Sequence, residues 1–190
     1  MTAHVMFHEH FLNDKDVLDK VLVEIGTTRE NLPGQDSTKY FYQMSRKLGF
    51  DFLTIDMDEE NTKNAINRFP KISALTLKGE NFLKDYDGTI DFIYLDAFDY
   101  WHPNHSQKRI DKYKNILDCE ISNELCHQMH LECSVNLLDK VPTGGMVLFD
   151  DVLDHKFEGK GKTAIPFLLE NGFKIHSLNI SLQGCLLIKQ

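Results

Sequence analysis

The sequence predicts an α/β fold: a Rossmann-like, doubly wound, mostly parallel sheet with a terminal antiparallel strand. Three observations carry that reading. Short β-branched or aromatic runs, each long enough for one strand buried on both faces, alternate with helical patterns. Four of these runs end in acids, namely Glu24, Asp56, Asp96 and the pair Asp150-Asp151. The last two runs, 173–178 and 184–189, have no helix between them and fit a closing antiparallel pair.

The elements follow in order. Residues 1–20 are mixed and polar and read as a short helix or arm ahead of the sheet. Residues 21–25 form the first strand, and 26–35 a loop rich in Gly, Pro, Thr and Asn. Asp36 or Ser37 can cap a helix running to about Leu48, with Gly49 just past its end. Residues 52–55 form the second strand. The next helix, 59–69, has Asp58 placed to cap it and stops at Pro70. Residues 74–77 are the third strand, with Gly79-Glu80-Asn81 at its tip, followed by a short helix over 82–86 and an Asp87-Gly88 turn. The fourth strand spans 90–95, and a polar, aromatic and basic insertion fills 97–117. A long amphipathic helix, 121–138, leads through the tight turn Pro142-Thr143-Gly144-Gly145 into the fifth strand, 146–149. A helix over 162–171, with Gly172 past its C-terminus, precedes the closing pair.

With 190 residues and 42% hydrophobic content, the chain supports one domain spanning 1–190 with a full core. The net charge of -8 and the lack of a basic stripe argue against a nucleic-acid partner. The lysines at 156, 160 and 162 are interrupted by glycine and read as a solvated loop. No apolar run approaches membrane-spanning length, so no membrane partner is expected. The four cysteines form no CxxC pair, and the first ten residues lack the apolar core of a signal peptide. Reduced thiols in a cytoplasmic protein are the expectation. A homodimer is compatible with a short chain carrying an aromatic insertion.

In an open parallel sheet, ligands bind outside the carboxyl ends of the strands, where these acids converge. Gly26 lets a ligand approach the backbone closely. The GxGxxG fingerprint is missing, which leaves pyrophosphate binding poorly supported. Asp56 suits a ribose diol, because a carboxylate accepts hydrogen bonds from two hydroxyls.

Glu24-Ile25-Gly26, then Asp56, then Gly79-Glu80, then Asp96, in this order, resembles the class I S-adenosylmethionine-dependent methyltransferases. The Pro-Thr-Gly-Gly turn and the terminal pair are similar too, and the likeness covers roughly residues 20–190. It implies that Glu24, Gly26 and Thr27 line the methionine end of S-adenosylmethionine. Asp56 would hold the ribose, with Gly79 and Glu80 beside the adenine. Asp96 and Ser37 complete the implied cofactor set, although the loop departs from the family: Thr28 to Pro33 intervene before Gly34, where a further glycine usually comes sooner.

A narrower likeness concerns Leu95-Asp96 and Phe149-Asp150-Asp151, which resemble the metal ligands of cation-dependent O-methyltransferases of the catechol and antibiotic-sugar types. It implies Mg²⁺ held by Asp96, Asp150 and Asp151, a hard ion on hard oxygens, with a substrate hydroxyl on the metal. Those enzymes often place a Lys or His base three residues after the fourth-strand acid. Here that position is Asp99, and His102 or His105 are alternative bases. Phe98, Tyr100 and Trp101 either wall an aromatic or sugar substrate or pack the insertion onto the sheet. The expected activity is methyl transfer from S-adenosylmethionine to a hydroxyl of a small molecule, assisted by Mg²⁺. The alternatives are a metal-independent methyltransferase and a non-catalytic cofactor-binding protein of the same fold.

Two histidine groups remain. Cys126, His127, His130 and Cys133 form either a soft metal site or, the favoured reading, an amphipathic helix with cysteines inward and histidines partly exposed. His8 and His10 either close over the site or are solvated.

Overall fold

The computed structural model describes residues 3–13, 17–29 and 33–190. Its strands are β1 Val21–Ile25, β2 Asp51–Asp56, β3 Ser73–Thr76, β4 Phe92–Leu95, β5 Met146–Phe149, β6 Phe173–Asn179 and β7 Gly184–Lys189. They form one seven-stranded sheet in the order β3-β2-β1-β4-β5-β7-β6. The five strands from β3 to β5 pair in parallel, and β7 lies antiparallel between β5 and β6. This is the predicted doubly wound sheet with its antiparallel strand near one edge.

The helices are α1 His8–Asn13, α2 Ser37–Leu48, α3 Glu59–Arg68, α4 Gly79–Asp85, α5 Gln107–Asn115, α6 Asn123–Leu137 and α7 Ala164–Glu170. Local chemistry sets several starts. The Asp36, Asp58 and Ser122 side chains accept from the backbone N–H groups of Lys39, Glu60 and Leu125. Gly49 ends α2 in the left-handed region, at φ 89°. α4 begins at Gly79, a turn earlier than the sequence predicts, and the 97–117 insertion contains α5.

Strand alternation divides the core between two faces. Val23, Ile25, Ile93, Leu95, Val147 and Phe149 face α4, α6 and α7. Their neighbours Leu22, Phe92, Tyr94, Met146 and Leu148 face α2 and the N-terminal segment. That segment corrects the reading of a polar arm. Ala3, Phe7 and Phe11, four residues apart, are buried against the sheet through a 3-10 turn, Ala3–Phe7, and α1. Each buried phenylalanine is worth about 1.5–3 kcal/mol, which outweighs the polar residues between them. His8 does not reach the strand tips: its Nδ1 lies 2.8 Å from the Tyr40 hydroxyl. The His10 ring sits on His176.

α6 corrects a second expectation. Cys126 and Cys133 face inward as read, but His130 is fully buried with them, its Nδ1 2.8 Å from the Cys126 carbonyl oxygen. Burial lowers the His130 pKa to about 3, so its ring is neutral. No cluster of three or more His, Cys, Asp or Glu among the described residues has the geometry to hold a metal ion. No helix among them is long and apolar enough to cross a membrane.

The chain winds outward from β1 through β2 to β3, then returns beside β1 as β4. The reversal leaves a crevice at the β1 and β4 tips, where open α/β sheets take ligands.

Candidate functional site

A cavity of about 490 Å³ opens along the carboxyl ends of β1, β2, β4 and β5. That is within the range of single small-molecule sites, roughly 300–1,000 Å³. Gly26 forms its floor at the crevice. The Gly26 backbone has φ 107°, and a Cβ there would lie 2.6 Å from the Ala97 backbone nitrogen. Only glycine lets the two strand tips approach this closely.

Of the residues expected to bind cofactor, Gly26, Thr27, Asp56, Gly79, Glu80 and Asp96 line the cavity. Asp56 ends β2 with Oδ1 accepting from the Asp58 N–H at 2.8 Å and Oδ2 accepting from Asn61 Nδ2 at 3.0 Å. Each oxygen keeps a lone pair for a ligand. Burial raises Asp56 to about 6, opposed by those two donors.

Glu24 and Ser37 lie behind the wall instead. Glu24 is fully buried; its Oε1 accepts from the Ser37 hydroxyl at 2.6 Å, and its Oε2 from Thr38 and Thr54 at 2.7 Å. Thr38 and Ser37 in turn hold Thr28, at 2.8 Å each. The carboxyl of Glu24 thus ties β1, β2 and α2 to the loop that carries Thr27 and Thr28. It positions the wall: it is fully buried, and three of its four lone-pair sites are taken by hydroxyls of the wall itself.

Burial pushes Glu24 up to about 8, with those hydroxyls pulling the other way. An acid raised on folding stabilises fully below its ordinary value, 4.5, and loses that contribution as pH rises through about 8. Glu24→Gln, which carries no titrating group, is therefore expected to keep the fold and flatten the fall in melting temperature between those two values. Thermal denaturation across that range checks this, and identical slopes for the two proteins would refute it.

The far end of the cavity holds Asp96, Asp150 and Asp151, and the structure brings all three together there. It also brings a residue that the sequence reading placed in solvent. Lys160 is buried, its side chain 4% exposed, and its Nζ lies 2.5 Å from Asp96 Oδ1 and 2.9 Å from Asp151 Oδ2. A third contact, 3.2 Å, goes to the Asp96 carbonyl oxygen. The three ammonium donors are thus matched by three acceptors. Burial disfavours the Lys160 charge, but Asp151, Asp96 and Asp150 more than offset it and hold its pKa well above the usual lysine value. Lys160 in turn lowers Asp151.

These donors do not fit Mg²⁺. The ion needs oxygens at roughly 2.0–2.1 Å, and the two carboxylates that would supply them already close on an ammonium. The reading of Asp96, Asp150 and Asp151 as a magnesium triad is corrected accordingly. Asp150 differs from its neighbours in having neutral partners: it accepts from the Tyr94 hydroxyl and, at Oδ1, from the Asp151 N–H at 2.9 Å. Burial, then Asp96 and Asp151, raise it to about 7.

The expected bases are placed differently. Asp99 lines the cavity but is held by two guanidiniums, Arg29 at 3.2 Å and Arg109. Both of its oxygens are engaged by these guanidiniums. His102 and His105 do not line the cavity. Their rings stack on each other at 3.8 Å, and His105 Nε2 lies 3.1 Å from the Tyr100 carbonyl oxygen. Phe98 packs edge-on against Tyr113 and lines the cavity, whereas Trp101 is half exposed. The sequence reading missed Lys160, Arg29, Arg109 and Tyr113. The one signal for Lys160 was its setting in Gly159-Lys160-Gly161, a backbone able to turn sharply.

No protein-family model matches the chain, nor does any curated protein sequence. Solved structures do. NSun6 from Pyrococcus horikoshii superposes with a TM-score of 0.64 at 15% identity, over 100% of this chain and 52% of that one. An rRNA methylase from Streptococcus thermophilus gives 0.57 at 15% identity, over 100% and 97%. The N-methyltransferase NodS from Bradyrhizobium japonicum, solved with S-adenosyl-L-homocysteine, gives 0.54 at 16% identity, over 97% and 83%. At these identities the likeness establishes the fold alone, one shared by structures that include an rRNA methylase and an N-methyltransferase.

Proposed function

We propose that this chain transfers a methyl group from S-adenosylmethionine to a hydroxyl of a small molecule, without a bound divalent cation. The observation that carries this reading is the cavity itself. It runs from Asp56 to the Asp150 end across a glycine floor, along the strand tips where this fold takes its ligands.

The bare Cα of Gly26 and the spare lone pairs of Asp56 suit an adenosine-bearing ligand. Asp56 would hold the ribose hydroxyls, and Glu80 and Gly79 would flank the base. Bound there, S-adenosylmethionine supplies an electrophilic methyl group on a sulfonium and leaves as a neutral thioether. The lining carries eight carboxyl residues against four lysines and arginines, an excess that favours a cationic donor and disfavours a polyanionic acceptor such as RNA. Asp150 would take the acceptor's hydroxyl proton at a carboxylate oxygen, since its partners are neutral donors. Tyr94 fixes that carboxyl, and Lys160 holds Asp96 and Asp151 still, lowering Asp151 and opposing the rise that burial imposes on Asp96.

Transfer of labelled methyl from S-adenosylmethionine to a panel of phenols, catechols and sugars, in excess EDTA, tests the proposal. Methylation is expected to persist in EDTA. Asp56→Ala is expected to raise the KM for the donor roughly 10–100-fold, the equivalent of about 1.5–3 kcal/mol for hydrogen bonds to a charged group. Activity lost in EDTA and restored by Mg²⁺, or label entering only amines or RNA, would contradict it.

A further inference from the structure

We propose that Lys160 is a resident cation standing where a divalent metal ion would sit, and that it sets the metal selectivity of the β4 and β5 tips. Without it, the same three carboxylates become a divalent-cation site. The inference rests on reading this rim as the methyl-transfer end of the cavity, and the measurements below keep the two apart.

The ammonium is built into the fold. Asp151 turns the chain after β5 with φ 50°. Val152 then pairs antiparallel with Gly159, and the Lys160 N–H donates to the Asp151 carbonyl at 3.2 Å. This return is tight: a Cβ on Gly159, whose φ is 97°, would lie 1.9 Å from the Asp151 carbonyl oxygen. Backbone geometry therefore sends the lysine back to the carboxylates that flank the turn. Its side chain is 4% exposed and has no competing route to water.

Charge explains why something positive belongs there. Asp96, Asp150 and Asp151 converge on one rim, and like charges that close cannot all ionise without a counter-charge. Either a divalent ion or an ammonium meets that need. A dication placed between Asp96 Oδ1 and Asp151 Oδ2 would collide with the Lys160 Nζ at 2.5 and 2.9 Å from the same atoms. The two cations exclude one another.

Titration with Mn²⁺, read by electron paramagnetic resonance and calorimetry, tests this directly. The wild-type chain is expected to show no stoichiometric Mn²⁺ site up to millimolar concentration. Lys160→Ala is expected to gain one site, tightening binding at least tenfold, and Lys160→Ala/Asp150→Asn to lose it again. A stoichiometric site in the wild-type chain that Asp150→Asn removes would overturn the proposal, whether or not the alanine variant folds. A folded Lys160→Ala chain that gains no site would overturn it as well. S-adenosylhomocysteine binding to the wild-type chain is measured alongside. Its absence with the Mn²⁺ results as expected would sink the methyltransferase reading and leave the resident cation standing.

Discussion

Lys160→Met is expected to cost about 1–3 kcal/mol of stability at neutral pH, between the penalty for a surface ion pair and that for a fully buried one, because Lys160 is buried while the Asp96 and Asp151 side chains are 29% and 43% exposed. In a chain of 190 residues this corresponds to a fall in melting temperature of roughly 2–12 °C. Methionine keeps the length and most of the apolar stem of lysine, so the loss isolates the charge. Asp96 and Asp151 would be left facing each other with no ammonium between them. The pH dependence separates this from a packing defect. Lys160 holds Asp151 below its ordinary value of 3.8, so the stability that this pair contributes is present above that value and lost as pH falls through the lowered one. The gap between wild-type and variant melting temperatures should therefore close in acid. A gap unchanged from neutral pH to pH 3 would show that the charge is not what the substitution removed.

Gly26→Val is expected to weaken S-adenosylhomocysteine binding on the order of 100-fold or more, which is about 2.7 kcal/mol. Two separate strains act. The backbone at φ 107° lies in a region that side-chain-bearing residues rarely adopt, and a Cβ would sit 2.6–2.8 Å from backbone atoms of Asp96 and Ala97. Those neighbours are main chain held in register, with the Asp96 N–H donating to the Ile25 carbonyl and the Gly26 N–H to the Ile55 carbonyl. They move only if the tips of β1 and β4 part, which widens the crevice that forms the cavity floor. Calorimetry that finds equal affinity for wild type and Gly26→Val would refute the assignment of this floor to the ligand.

The fold was readable because its strands are uniform. Short β-branched and aromatic runs between capped helices leave few alternatives, and the acid after each run marks the carboxyl end of the sheet. The same pattern located Asp56, Asp96, Asp150 and Asp151 on one cavity. It misled at Glu24, which lies one residue before the end of β1, where the chain still alternates into the interior. The buried N-terminal segment was legible in the spacing of Ala3, Phe7 and Phe11, one helical turn apart, but polar residues between them masked it. His130 shares the helical stripe of Cys126, Cys133 and Leu137 and could have been read as buried on that ground.

Ion pairs were out of reach. Lys160 meets Asp96 across 64 residues, and Arg29 meets Asp99 across 70. The flanking glycines mark a sharp turn at Lys160, but nothing local records whether the lysine there faces water or a carboxylate. That is why a pattern of three acids suggested a metal when the chain supplies its own cation.

The proposed function requires the strand-tip cavity to bind an adenosine-bearing methyl donor. Isothermal titration of the wild-type chain with S-adenosylhomocysteine, in EDTA at neutral pH, decides whether it does. One site per chain with micromolar or tighter affinity is the expected result, unchanged when EDTA is replaced by Mg²⁺. The absence of any binding heat, supported by an unshifted melting temperature, would contradict it.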